Sequence, residues 1–295
     1  MTANDKFSLY IYDGDYGLPS MHVDCIKSLL YTSIAKVPLQ IKLLNNIKLC
    51  TFYSGPYFVH KHLSFGAYSE IVPYINTLGY NLDFELNPKQ KSESLALSNM
   101  VQMKLRGPLE YVFWLDQRNF EEFTRVWFTR ALPWPLSIFY INRAKETAEN
   151  LIQSMYATDC SMEIIRDNLS ALTAECLSSL SARLGTLSYF HGDSPTSLDV
   201  IVYSYVAPLL KVPFPSNSIS SLVSAWPNLV SFVKRIEAKY LPEVPKESKY
   251  LKHEEQTKTS DDDVSYVAIS LLTVSAVTLV VGFAMSRGFI TSRMY

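Results

Sequence analysis

The chain runs to 295 residues, 48% hydrophobic and 19% charged, with a formal net charge of −1 and 10 glycines. That composition excludes a disordered, collagen-like or disulfide-scaffold protein, and a pI of about 6.5 gives no electrostatic case for nucleic acid as a partner. Mean hydropathy of +0.04 is high for a water-soluble chain of this length, and one segment near the C-terminus carries much of it.

In chain order, Phe7 to Tyr12 is a short aromatic and β-branched run stopped by Asp13-Gly14-Asp15-Tyr16-Gly17, the pattern of a strand and turn. Pro19-Ser20 then opens a predicted helix to Ala35, with Val23, Ile26, Leu29, Leu30 and Ile34 at helical spacing. Pro38 starts a second strand over 39–44, Gly55-Pro56 precedes a third over 57–60, and residues 69–77 read as a further helix. Strand, helix, strand, proline-led strand and closing helix is the order of a thioredoxin-like domain, placed at residues 1–85.

Residues 86–241 read as helices almost throughout. Ile165, Leu169, Leu172, Cys176, Leu180 and Leu184 recur at three- and four-residue steps, which predicts one long helix with a single buried stripe. Pro133-Trp134-Pro135 divides two other helices, because neither proline continues a helix interior. Thr196 and Asp199 form a predicted N-terminal capping box, with a structural rather than catalytic role. The predicted fold class is therefore α/β followed by all-α: a thioredoxin-like N-terminal domain, then a helical domain of glutathione-transferase type, then a single C-terminal transmembrane helix.

Residues 242–263 carry 11 charges in 22 positions and end in Asp261-Asp262-Asp263. Such a stretch buries too little apolar surface to offset its chain entropy and is expected to be a solvated tether. From Val264 to Met285 there is no charge, and 16 of 22 residues are apolar. As a helix that run spans roughly 33 Å, enough for one crossing of a hydrocarbon core of about 30 Å. Met1 to Lys6 lacks the basic and apolar pattern of a secretory signal, so the expected membrane address is this C-terminal anchor, with residues 286–295 as a short basic tail. Insertion as a tail anchor is expected to leave the preceding residues in the cytosol, and the count of Lys246, Lys249, Lys252 and Lys258 before the span against Arg287 and Arg293 after it agrees. A span diluted by hydroxyl residues and followed by a basic tail suits the mitochondrial outer membrane, with endoplasmic reticulum and peroxisome as the other destinations.

Several stretches resemble the metaxins, outer-membrane relatives of the glutathione-transferase superfamily. They are Gly17-Leu18-Pro19-Ser20, Tyr80-Asn81-Leu82-Asp83, Phe113-Trp114-Leu115-Asp116, Leu132-Pro133-Trp134-Pro135-Leu136 with Asn142-Arg143, and Tyr189 through Asp199 followed by Ser204-Tyr205. Within that family the tail anchor is similar to the anchored branch. The resemblance implies a subunit of the outer-membrane sorting and assembly machinery that supports import and β-barrel precursor insertion. The partners it implies are another metaxin paralogue, the β-barrel assembly subunits and, for some relatives, adaptors to transport motors.

A glutathione transferase needs a hydroxyl or thiol near the end of its first strand to stabilise the glutathione thiolate. Ser20 stands there, and the reading preferred for it is a helix N-cap. Ser69 is the candidate for holding the γ-glutamyl group, again with a cap as its alternative, and Pro56 is the candidate cis-proline of such a pocket. Cys25, Cys50, Cys160 and Cys176 include no C-x-x-C pair, and His22, His60, His62, His191 and His253 form no ligand cluster. The expectation is a binding scaffold without cofactor or metal and without catalysis. Trp114, Trp127, Phe128, Trp134 and Phe139, with Arg125, Arg130 and Arg143, are candidates either for an interface or for core and solvated faces.

Overall fold

The computed structural model describes residues 7–44, 55–156 and 160–241. The predicted anchor Val264–Met285, the tether 242–263 and the tail 286–295 lie outside these residues, as do Cys50 and His253. Among the described residues no helix is long and apolar enough to cross a membrane.

Strand β1 (Phe7–Ile11) alternates buried and half-buried side chains, as a period-2 run does when one face packs on a core. It pairs in parallel with β2 (Leu39–Leu43), Phe7 opposite Leu39 and Ile11 opposite Leu43. On its other side it pairs antiparallel with β3 (Tyr57–His60), Leu9 opposite Phe58, and β3 pairs antiparallel with β4 (Leu63–Phe65). The sheet order is β2-β1-β3-β4. A parallel pair requires a crossover, and α1 (Val23–Ile34) supplies it. Leu9, Phe58, Ile26, Leu30, Ile71 and Ile75 are fully buried where the sheet meets α1 and α2 (Tyr68–Thr77). Strand β4 has no counterpart in the sequence reading, because its turn carries no glycine: Lys61 itself adopts the left-handed conformation, φ 57°.

The remaining chain is helical. α3 (Pro88–Glu110) is capped by Asn87, whose side chain accepts from Gln90 N at 2.9 Å, and it runs on through a wider π-type turn at Tyr111–Leu115. Asp116 caps a single turn at Gln117–Asn119, a second π-type turn spans Phe120–Thr124, and α4 (Arg125–Ala131) follows. α5 (Leu136–Met155), α6 (Met162–Leu184), α7 (Ser197–Lys211) and α8 (Pro227–Tyr240) complete the set. On α6 the buried stripe passes through Thr173 rather than Leu172, and the Thr173 hydroxyl is satisfied by the Leu169 carbonyl at 2.8 Å.

α7 is the central element. Residues Leu198 to Leu209 are all buried, because α1, α3 and α8 cover it from different sides. At its start the Asp199 carboxylate accepts from Thr196 N (2.8 Å), Thr196 Oγ1 (2.8 Å) and Phe190 N (3.0 Å). One residue away, Asp83 accepts from Ser197 N (2.9 Å) and Ser197 Oγ (2.5 Å), tying the segment after α2 to the helical part. The stretches 80–83 and 189–199 thus meet at one structural joint.

Three expectations change. The N-cap of α1 is His22, not Ser20, since the preceding loop carries Ser20 into the interior. α2 is capped by Ala67, leaving Ser69 exposed within the first turn. The Gly55–Pro56 bond is trans; among the described residues the cis bond is Trp134–Pro135.

Candidate functional site

A cleft of about 740 Å³ opens between the start of α1 and a wall built from α3 and α5. Met21, His22, Asp24 and Lys27 line one side, with Gly55, Gly66 and Ala67 beside them. Gln102, Met103, Arg106 and Glu110 of α3, Arg143, Thr147, Leu151 and Met155 of α5, and Tyr205 of α7 line the other. A second cavity of about 570 Å³ lies beyond Trp114, between Phe120, Lys145 and Tyr156.

At the end of β1, where a thiolate-stabilising group is needed, the chain is locked shut. Gly14 N donates to Asp13 Oδ1 at 2.8 Å, Leu18 N to Asp15 O at 2.9 Å and Met21 N to Asp13 O at 3.1 Å. A Cβ on Gly14 would stand 2.1 Å from the Leu18 carbonyl, so only glycine fits. Asp15, fully buried, accepts from Trp127 Nε1 at 2.8 Å, and Lys211 donates to Gly17 O at 3.2 Å. Ser20 has no exposure; its hydroxyl accepts from His22 N at 3.2 Å and also bonds the Cys25 thiol. Burial pushes that thiol up to about 12, which leaves it protonated and unreactive. Neither Ser20, Pro56 nor Ser69 lines the cleft, although Met21, Gly55 and Ala67 beside them do.

The residues that do line it are charged. Lys27 Nζ pairs with Asp24 at 2.9 Å, donates to Tyr205 Oη at 3.3 Å and lies 4.6 Å from the Tyr205 ring centroid. Burial opposes both charges of that pair, yet their mutual attraction prevails: the Lys27 ammonium is raised and the Asp24 carboxyl lowered from their ordinary values. Burial pushes the Glu110 carboxyl up to about 7 against the opposing pull of Arg106. Burial lowers the His22 pKa from its ordinary value, and among the described residues its buried Nδ1 has no hydrogen-bond partner. Among the described residues neither Arg106 nor Arg143 makes an ion pair or a side-chain hydrogen bond.

Of the aromatic candidates, Trp114, Trp127 and Phe128 are core residues: Phe128 stacks on Tyr140, Trp114 meets both rings at a tilt, and Trp127 meets Phe128 edge-on. Trp134 (79% exposed) and Phe139 (70%) stand on the surface. Arg143 proves to be a cleft residue, whereas Arg106, Glu110 and His22 are cleft features that spacing does not reveal: they come to one cleft only in the folded chain.

Residues 25–145 match the family model described as an outer mitochondrial membrane transport complex protein, Tom37, and residues 173–236 match the glutathione S-transferase C-terminal domain. Metaxin-3 of Danio rerio is 30% identical over 247 residues, covering 83% of this chain and 79% of the relative. Metaxin-1 of Macaca fascicularis is 30% identical over 239 residues, covering 79% and 75%. Among solved structures, two glutathione S-transferases of Ceriporiopsis subvermispora, each in complex with glutathione, align with TM-scores of 0.54 and 0.51. Each is 11% identical; the alignments cover 79% and 78% of this chain and 99% and 98% of theirs, and the likeness is one of fold.

Proposed function

The chain belongs to the metaxin family, and on that premise we propose that it is a non-catalytic subunit of the mitochondrial outer-membrane sorting and assembly machinery, supporting protein import and β-barrel precursor insertion. The observation that carries this reading is the 30% identity to a metaxin across 83% of the chain, joined by the match of residues 25–145 to an outer-membrane transport complex family. In the same reading residues 1–85 and 86–241 are its two domains, 242–263 its tether and Val264–Met285 its single membrane span. Residues 1–241 face the cytosol, where another metaxin paralogue and β-barrel assembly subunits are its partners.

Glutathione-dependent transfer finds less support. Such an enzyme lowers the pKa of a bound thiol with an accessible hydroxyl or thiol group. Here Ser20 is sealed inside and bonded internally, Cys25 is buried with its pKa raised, and Ser69 is exposed and does not line the cleft.

The test is native co-purification from digitonin-solubilised mitochondria, comparing the full chain with one truncated before Val264. The expected result is recovery of β-barrel assembly subunits with the full chain, and accumulation of unassembled barrel precursors in cells lacking it. A full chain that migrates alone, or resides on another organelle, overturns the proposal.

A further inference from the structure

We propose that the corner between α4 and α5 is a membrane-docking surface: Trp134, Ile138 and Phe139 enter the interfacial layer of an anionic bilayer, with Arg143 among the headgroups. Local chemistry makes the corner. Pro133 and Pro135 stop α4 and restart the chain as α5, with Ser137 N donating to Pro133 O at 3.3 Å and Ile138 N to Pro135 O at 3.1 Å. α5 buries Leu136, Ser137, Ile141, Ala148 and Ile152, which completes its inward stripe and leaves Ile138 and Phe139 on the outer face. Trp134 is 79% exposed, Phe139 70% and Ile138 50%, and Pro133 beside them is exposed as well. Single exposed apolar residues are ordinary on a protein surface, but three large ones within one turn and a half of chain, two of them aromatic, form a patch.

Size, chemistry and reach select a bilayer over a protein. None of the three side chains lines either cavity, so the patch is an exposed corner rather than a groove. Together they offer roughly a few hundred Å², short of the about 800 Å² per partner of a stable protein interface, whereas insertion into lipid needs no complementary surface. An indole carries an apolar ring and one N–H donor, a combination that settles at the membrane–water boundary. From Phe123 to Lys145 the chain has no Asp or Glu. Arg143 follows Phe139 by one turn on the same outer face, is exposed, and makes no ion pair among the described residues. It is the one charge counted: Arg125 and Lys145 line a cavity together with Glu121 and Glu149, and Arg130 has a partner of its own. The choice of a bilayer rests on the membrane-span reading proposed above, in which 22 residues separate Leu241 from Val264. Extended, they reach about 75 Å, against about 45 Å across a compact body of about 240 residues, so the corner is within reach of the bilayer.

The experiment reconstitutes the purified full chain in phosphatidylcholine–phosphatidylserine vesicles whose acyl chains are brominated near the headgroup, and follows tryptophan fluorescence. Of the chain's four tryptophans, Trp114 and Trp127 are buried and Trp226 is half-buried, so Trp134→Phe identifies the signal of the corner. A quenched component is expected in the wild type and lost in Trp134→Phe. The double variant Ile138→Ser, Phe139→Ser should lower the docked-to-free ratio about tenfold. Arg143→Gln should lower it about fivefold on these vesicles and leave it unchanged on phosphatidylcholine alone. Should the double variant melt below the wild-type temperature, Ile138→Ser and Phe139→Ser singly decide the matter. Equal quenching in wild type and Trp134→Phe overturns the proposal. So does a Trp134 that stays open to acrylamide on vesicles and is covered only when a digitonin extract of outer membranes is added, which would assign the corner to a protein. Carbonate extraction of the same vesicles reads the span separately. A chain that is released refutes the span, and the corner is then judged by quenching at excess vesicles; a chain that is retained without quenching refutes the corner alone.

Discussion

The N-terminal end of α7 and the cleft beside α1 treat polar groups in opposite ways. At α7 the Asp199 carboxylate is wholly buried and takes three donors, and Asp83 takes two more from Ser197. In the cleft, His22 Nδ1 is buried without a hydrogen-bond partner among the described residues, Glu110 is pushed towards neutrality, and the exposed Arg106 and Arg143 make no ion pair or side-chain hydrogen bond among those residues. An unmet polar group inside a protein costs about 1 to 3 kcal/mol, so a fold removes such groups wherever nothing else is asked of them. The α7 joint therefore reads as architecture built on its two carboxylates, and each region still holds one buried imidazole nitrogen without a partner among the described residues, His191 Nδ1 in the joint and His22 Nδ1 in the cleft.

Substitutions separate the two regions by size of effect. Asp199→Ala strips the acceptor from three buried donors and should destabilise the chain by about 4 kcal/mol, measured by chemical denaturation. A loss under about 1 kcal/mol would mean that the buried Asp199 carboxylate is not what holds the start of α7 in place. Trp127→Phe keeps the ring in the core but leaves buried Asp15 without its 2.8 Å donor, and a loss of about 2 kcal/mol is expected from the same assay.

On the cleft side the effects are smaller and one depends on pH. The Glu110 carboxyl titrates near 4.5 when unfolded and near 7 when folded, so the folded chain holds more protons between those values. Its contribution to stability therefore falls as pH rises through that window. Glu110→Gln should raise stability by about 1 kcal/mol at pH 8, after discounting for solvent around a half-buried group, and leave it unchanged at pH 4. Thermal melts at the two pH values check both the sign and the window. Smallest of all, Trp134→Ala removes a side chain that is 79% exposed and should shift stability by no more than about 0.5 kcal/mol. A larger loss would show that this surface aromatic belongs to the core after all.

The period-2 run at residues 7–12, the helical stripe of 165–184 and the proline pair 133–135 announce their elements because backbone geometry and side-chain spacing are local properties, and the thioredoxin-like order follows from them. The boundary at α1 does not: Ser20 has the chemistry of a cap, but the Asp13–Met21 loop, held by its own backbone bonds and by Trp127 from another helix, carries it inside. β4 is hidden for a related reason, since a left-handed lysine in its turn is stabilised by context rather than by residue type. The cleft was the least legible part. Arg106, Arg143, Glu110 and His22 lie on three elements far apart in sequence, each unremarkable where it stands. What the amino-acid sequence by itself determined was periodicity, breakers and family-like stretches, all set by neighbours in the chain. What only the tertiary structure decided was which charges share one cleft and which find partners, because burial and electrostatics depend on what is near in space.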